Sequence, residues 1–94
     1  MTITNYNWGY DSIVYQDNRK IIFNKIIYSS HVVNLYYDNN EVWILEKGNL
    51  RIYHDSLEKF ESKKTELILD KNKHYNLQNL DCSVLILCIV KILV

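Results

Sequence analysis

Asn40-Glu41-Val42-Trp43-Ile44-Leu45-Glu46-Lys47-Gly48-Asn49-Leu50-Arg51-Ile52 is the stretch that decides the fold. Side chains alternate across a strand, so Glu41, Trp43 and Leu45 share one face and Val42, Ile44 and Glu46 the other. Lys47-Gly48-Asn49 reads as a tight turn in which Gly48 is free to take positive φ. Leu50 to Tyr53 reads as the returning strand. The segment is predicted to be a β-hairpin carrying a carboxylate at one rim.

Outward from the hairpin, short apolar runs alternate with clusters of Asn, Asp, Ser and Lys, and no long helical period is present. Strands are predicted over Trp8 to Tyr15, Lys20 to Tyr28, His31 to Tyr37, Glu41 to Lys47, Asn49 to His54, Thr65 to Leu69, Lys73 to Gln78 and Ser83 to Val90. The turns between them fall at Gln16-Asp17-Asn18, Ser29-Ser30, Asp38-Asn39-Asn40, Lys71-Asn72 and Asn79-Leu80-Asp81. Asp55 to Lys64 is ambiguous. Leu57 and Phe60 are spaced for one helical turn, while a short edge strand before a Lys63-Lys64 turn agrees better with an all-β chain. Strands at this spacing predict a double-sheet jelly roll.

With 94 residues the chain makes one small domain over 1–94, large enough for a core but not for two. Its formal net charge is zero and its 11 basic residues are scattered, which argues against a nucleic-acid polymer as partner. Proline and alanine are absent, and Asn, Lys, Ile and Tyr are abundant. The residues lacking are those with GC-rich codons, so the source is expected to be an AT-rich genome, viral or low-GC bacterial.

No targeting segment is visible. The C-terminal apolar run from Cys82 is interrupted by Lys91 and is too short for a membrane-spanning helix. Its β-branched content predicts a strand that is apolar on both faces. Cys82 and Cys88 would lie about 20 Å apart on that strand, too far for a disulfide. A cytoplasmic protein without membrane attachment is expected. His31, His54 and His74 lack metal-ligand spacing, no glycine loop cradles phosphate, and no serine sits in a nucleophile elbow.

The pattern Glu41-x6-Gly48 resembles the first motif of the cupin superfamily. Asn40-Glu41-Val42-Trp43 narrows the resemblance to the cupin domain of type II mannose-6-phosphate isomerases, which carry Glu-x-Trp there. Asn7-Trp8-Gly9 is similar to the Pro-Trp-Gly that opens that domain. Leu67 to Asn79 resembles the second motif, Pro-x-Gly-x-x-His-x-x-x-Asn. The resemblance runs from about Trp8 to Val90. It implies a cupin-type double-stranded β-helix, a jelly-roll barrel of two antiparallel sheets.

The departures fall on the chemistry. Asp70 stands for the proline, Asn72 for the glycine and Tyr75 for the histidine, while Asn79 is kept and His74 is one position off. Counting back from Glu41 leaves two registers for the first motif. One places Leu35 and Tyr37 at the ligand positions. The other, preferred because it puts an amide where the isomerases have one, places Asn34 and Tyr36 there. Neither retains a histidine, and Glu41 alone remains of the expected ligands. That set suits Zn²⁺, Fe²⁺ or Mn²⁺ poorly, so no metal cofactor is expected beyond a weak divalent ion at Glu41. A family lysine upstream corresponds to Lys20 or Lys25.

The expected function is a small-molecule-binding cupin without the usual metal centre, holding a sugar phosphate, nucleotide sugar or signalling nucleotide. In that reading Asn34, Glu41 and Asn79 supply hydrogen bonds, Tyr36, Tyr75 and Trp43 stacking surface, and Arg51 an anion contact. One alternative is a mannose-6-phosphate isomerase-like enzyme with Glu41 as the base. A second is a structural or protein-binding barrel whose old cavity is filled by tyrosine. Trp43 and most tyrosines also have a plain reading as core and sheet residues. A homodimer is expected, formed through the Cys82 to Val90 run and the N-terminal strand.

Overall fold

The computed structural model describes residues 2–93. Those residues form ten strands and no helix: β1 Ile3–Tyr6, β2 Gly9–Gln16, β3 Lys20–Ile27, β4 Val32–Tyr37, β5 Glu41–Lys47, β6 Leu50–His54, β7 Leu57–Glu61, β8 Thr65–Glu66, β9 Lys73–Asn79 and β10 Leu85–Ile92. They build a six-stranded sheet in the order β1-β2-β3-β10-β5-β8 and a four-stranded sheet in the order β4-β9-β6-β7. All pairings are antiparallel. The fold is therefore an all-β jelly roll, as the alternation of short runs and turns predicts.

Two elements differ from the sequence reading, Ile3–Tyr6 and the predicted Thr65 to Leu69 strand, which pairs only over Thr65–Glu66 before the chain leaves the sheet. Ile3–Tyr6 was not predicted as a strand, because its Ile-Thr-Asn-Tyr carries no apolar alternation. It forms as an exposed edge paired to β2, from Ile3 opposite Ser12 to Tyr6 opposite Gly9. In the ambiguous segment the edge strand prevails: Leu57–Glu61 pairs with β6, Leu50 opposite Glu61 and His54 opposite Leu57. Asp55, at φ 49°, turns the chain between them. At the other hairpin Gly48 has φ 114°, and a Cβ there would sit 3.1 Å from the Leu85 side chain. Positive φ and a close neighbour both call for glycine.

The period-two alternation of the strands sets the layers. Trp43 and Leu45 of β5, Leu85, Leu87 and Ile89 of β10, and Ile27 of β3 point inward from the larger sheet. Val33 and Tyr37 of β4, Leu50 and Ile52 of β6, and Tyr75 and Leu77 of β9 meet them from the smaller one. Leu67, from the loop after β8, completes the cluster. The predicted both-sided apolar strand is β10. Its inner row is buried, and its outer row, Ile86, Cys88 and Val90, is half-buried. It lies centrally between β3 and β5. The two cysteines are free: Cys82 is exposed before β10 begins, and Cys88 sits within it. No helix among the described residues is long and apolar enough to cross a membrane.

Candidate functional site

Counting along β4 and β5 places Tyr37, Glu41 and Trp43 at one end of the barrel. Glu41 and Trp43 open β5 on its inner face, and both are buried. On β4 the inward side chains are Val33, Leu35 and Tyr37, whereas Asn34 and Tyr36 are exposed on the outer face. This corrects the preferred register: Leu35 and Tyr37, not Asn34 and Tyr36, face the interior. The physical reason is strand parity, since one residue of slip moves a side chain to the opposite face. On β9, Tyr75 is buried and faces inward, with Asn79 four residues further along the same face.

At the barrel mouth the rings close on one another. The Tyr37 and Trp43 centroids are 4.5 Å apart, Tyr37 and Tyr75 6.4 Å, and His54 and Tyr75 5.6 Å. Tyr37, Trp43 and Tyr75 are each at most 3% exposed. The Tyr75 hydroxyl donates to the Asp70 carbonyl at 2.9 Å. Burial is the main cause that raises its phenol above the ordinary 10.0. It is therefore a neutral donor near pH 7, not a base.

The loop between β8 and β9 straps this end shut. Leu67 N–H donates to the Trp43 carbonyl at 2.9 Å, and Leu67 drops into the core. The Lys71 ammonium lies 4.3 Å from the Tyr37 ring centroid and donates to the Glu41 backbone carbonyl. Asn72 N–H donates to the Tyr37 carbonyl. Asn72 adopts φ 61°, a left-handed conformation that asparagine tolerates better than most residues. That accounts for asparagine standing where the motif has glycine.

The other predicted site residues are committed to structural partners. Glu41 Oε1 accepts from the Asp38 N–H at 2.9 Å, closing the Asp38-Asn39-Asn40 turn. Asn79 is fully buried. Its amide donates to the carbonyls of Ile27 and Ser83 at 2.9 and 2.8 Å, and its Oδ1 accepts from Asp81 N–H at 2.9 Å. Arg51 lies on the outer face of the smaller sheet, 2.9 Å from Glu58 and 4.0 Å from the Tyr53 ring centroid. Asn34 hydrogen-bonds to Asn76 and His74 on that same face, and Tyr36 packs 5.0 Å from His74. The predicted set thus divides. Glu41, Trp43, Tyr75 and Asn79 point inward, while Asn34, Tyr36 and Arg51 point outward on the smaller sheet.

Tyr37 and Lys71 were missed as site residues. Tyr37 had a signal, because it appears in the first of the two registers. Lys71 had none, since its position depends on how the strap folds back.

Among the described residues two buried side-chain polar atoms have no hydrogen-bond partner, Trp43 Nε1 at the mouth and Asn40 Oδ1 in the turn before it. Among the described residues no group of three or more His, Cys, Asp or Glu side chains is placed to hold a metal ion. The chemistry of the inward donor set, one carboxylate with two phenols and an indole, fits a divalent ion poorly.

No protein-family profile and no curated protein matches the chain. Solved structures do match its fold. The cupin domain of Schizosaccharomyces pombe Cnp3 superposes with a TM-score of 0.76 at 8% identity, over 96% of this chain and 66% of that one. KdgF from a Halomonas species gives 0.75 at 7% identity, over 97% and 87%. The capsular polysaccharide assembling protein CapF from Staphylococcus aureus gives 0.72 at 15% identity, over 96% of this chain but only 30% of CapF. The chain thus spans less than two thirds of CapF and of the Cnp3 structure. At these identities the likeness establishes the fold: a cupin-type jelly roll.

Proposed function

We propose that this chain is a non-catalytic cupin-type association module that pairs with a second copy of itself through the outer face of its six-stranded sheet. One observation carries the reading: that face is an apolar patch in cross-strand register. Ile86 of β10 lies opposite Ile26 of β3. Val90 is flanked by Ile22 of β3 and Val42 of β5, and Cys88 by Asn24 and Ile44. Apart from Ile26, which is buried, these side chains are half-buried on the face turned away from the core cluster. An ordered apolar sheet face of this kind is what sheet-on-sheet packing covers.

The interior supports the same reading from the other side. A ligand-binding barrel keeps a cavity, and here Tyr37, Trp43 and Tyr75 fill the mouth under the 67–72 strap. Formal neutrality places no net charge between two copies. At the patch margin Glu46 is paired with Lys64 at 3.1 Å, and exposed Glu66 lies opposite Ile44. Sedimentation velocity at micromolar concentration tests the proposal. A dimer is expected for the natural sequence, and a folded monomer for Val90→Lys, which puts an ammonium at the patch centre. A monomeric natural protein overturns it.

A second reading is favoured by the Trp43 indole. A buried donor without an acceptor marks a place where a small polar molecule gains a hydrogen bond, and Glu41 lies two residues before Trp43 on the same face of β5. A sugar phosphate, nucleotide sugar or signalling nucleotide entering there would lift the strap. In an isomerase-like variant of this reading, Glu41 would serve as the base, at the cost of releasing the Asp38 N–H. Thermal-shift titration with mannose 6-phosphate, cyclic nucleotides and ADP-ribose separates the readings. Stabilisation that Trp43→Phe abolishes supports the ligand; its absence supports the filled barrel.

A further inference from the structure

We propose that a cleft on the inner face of the larger sheet, over β1, β2 and β3, binds a short-chain monocarboxylate. The cleft has a volume of about 170 Å³ and is lined by Thr4, Asp11, Ile13, Ile21 and Phe23. Strand register sets these side chains on one face. Ile13 of β2 lies opposite Phe23 of β3, Asp11 opposite Lys25, and Thr4 of β1 opposite Asp11. Residues two apart share a face, so Ile21, Phe23 and Lys25 continue the row that ends at the core residue Ile27. Ile13, Ile21 and Phe23 make an apolar, half-buried floor.

The two ends of the floor differ in charge. At one end the Asp11 carboxylate is already matched, 2.8 Å from the Lys25 ammonium and 3.3 Å from the Tyr6 hydroxyl. At the other end a single cross-strand row carries Gln16, Ile21, Lys91 and Glu41, running from β2 through β3 and β10 to β5. Lys91 has the inward parity of Leu87 and Ile89 and is half-buried. Its ammonium has no hydrogen-bond or ion-pair partner among the described residues. Glu41, opposite it on β5, turns Oε1 to the Asp38 N–H instead.

Charge and size together select the occupant. An unmatched, half-buried ammonium next to an apolar floor calls for an anion with an apolar body. Gln16 and Lys91 flank Ile21 at two strand spacings, about 10 Å apart, a gap that their long side chains can close over one carboxylate. A volume of about 170 Å³ holds about six water-sized groups of about 30 Å³ each, which is the bulk of a hexanoate chain. The alkyl body then lies on Ile21, Phe23 and Ile13. A second carboxylate at the Asp11 end would lose its water with no free cation to receive it, so a dicarboxylate is rejected. The cleft is on the inner face, so it operates whether or not two copies pair through the outer one. It also requires no opening of the strap.

Titration of the ¹⁵N-labelled chain with sodium hexanoate tests the assignment, with adipate and hexanol as controls. Hexanoate is expected to give saturable shifts at the amides of Thr4, Asp11, Ile13, Phe23 and Lys91. Adipate carries a second charge and hexanol none, and neither should saturate over the same range. Lys91→Met keeps the stem and removes the charge, and should weaken binding by about threefold or more, in line with a partly exposed charge pair. Lys91→Arg should retain it. Lys91 is not a core member, so retention of the remaining amide spectrum verifies folding. Absence of saturable shifts, an equal response to adipate or hexanol, undiminished binding by Lys91→Met, or equal losses in Lys91→Met and Lys91→Arg overturns the proposal.

Discussion

The Asn79 side-chain amide donates to the Ile27 carbonyl, joining the smaller sheet to the larger across 52 positions of sequence. The same amide also holds Ser83, and its oxygen holds Asp81, so one buried side chain sets how the chain leaves β9 and enters β10. The motif asparagine is a brace between sheets. Asn79→Ala strands two carbonyls and an N–H, and leaving a buried polar group unpaired costs about 1–3 kcal/mol. A loss of at least about 2 kcal/mol in urea unfolding is expected, with no change in any ligand response.

Lys25 and Asp11 form a largely buried pair at 2.8 Å, and the ammonium lies among the rings of Trp8, Tyr6 and Phe23 at 4.6, 5.7 and 5.8 Å. Breaking such a pair from one side leaves an uncompensated charge in a poor solvent. Asp11→Asn is therefore expected to destabilise by about 3 kcal/mol. The double replacement Lys25→Met with Asp11→Asn should recover most of that loss, because the apolar chain still fills the aromatic cage. Denaturant midpoints of the single and double variants check both.

Asp17 responds to acid. Its carboxylate accepts from the N–H groups of Arg19 and Lys20 at 2.8 and 2.9 Å, and these bonds, with that from the Tyr15 hydroxyl, hold its pKa below the ordinary 3.8. A depressed carboxylate contributes stability that is fully present above the unfolded value and is lost as pH falls through the folded one. Asp17→Asn should therefore flatten the stability profile only below about pH 4. Thermal melts of both proteins from pH 7 down to pH 2 give the comparison.

The two thiols should differ in reactivity. Burial first, and then the Glu46 carboxylate, push the Cys88 thiol above its ordinary value, while Cys82 stands exposed on a turn. Since the thiolate is the reacting form, iodoacetamide at pH 7.5 should label Cys82 quickly and Cys88 slowly. If the larger sheet is the paired surface, dilution below the association range should speed labelling of Cys88 alone, read by mass spectrometry.

Much of this fold is legible in the residues. The hairpin around Gly48 follows from alternation and a glycine, the both-sided apolar run forms the central strand, and the edge strand after Asp55 agrees with its surroundings. The site was legible only in part. The facing of Asn34 and Tyr36 depended on how many residues the Asp38-Asn39-Asn40 turn consumes before Glu41, and a count of one reverses parity. The strap was illegible for another reason. Lys71 reaches Tyr37 and Glu41 through the path of an irregular loop, and no spacing encodes that path. Ile3–Tyr6 pairs through its backbone, so its side chains carry little record of it.

The position of β10 bears on how the protein is made. The last strand in chain order lies between β3 and β5, so neither flank of the larger sheet has its neighbour until residues 85–92 are available. During synthesis β3 and β5 must therefore wait with unpaired edges and apolar side chains bare, the condition in which a nascent chain meets chaperones or aggregates. Assembly is expected to be slow, limited by a pairing of high sequence separation, and to finish only once residues 85–92 can pair.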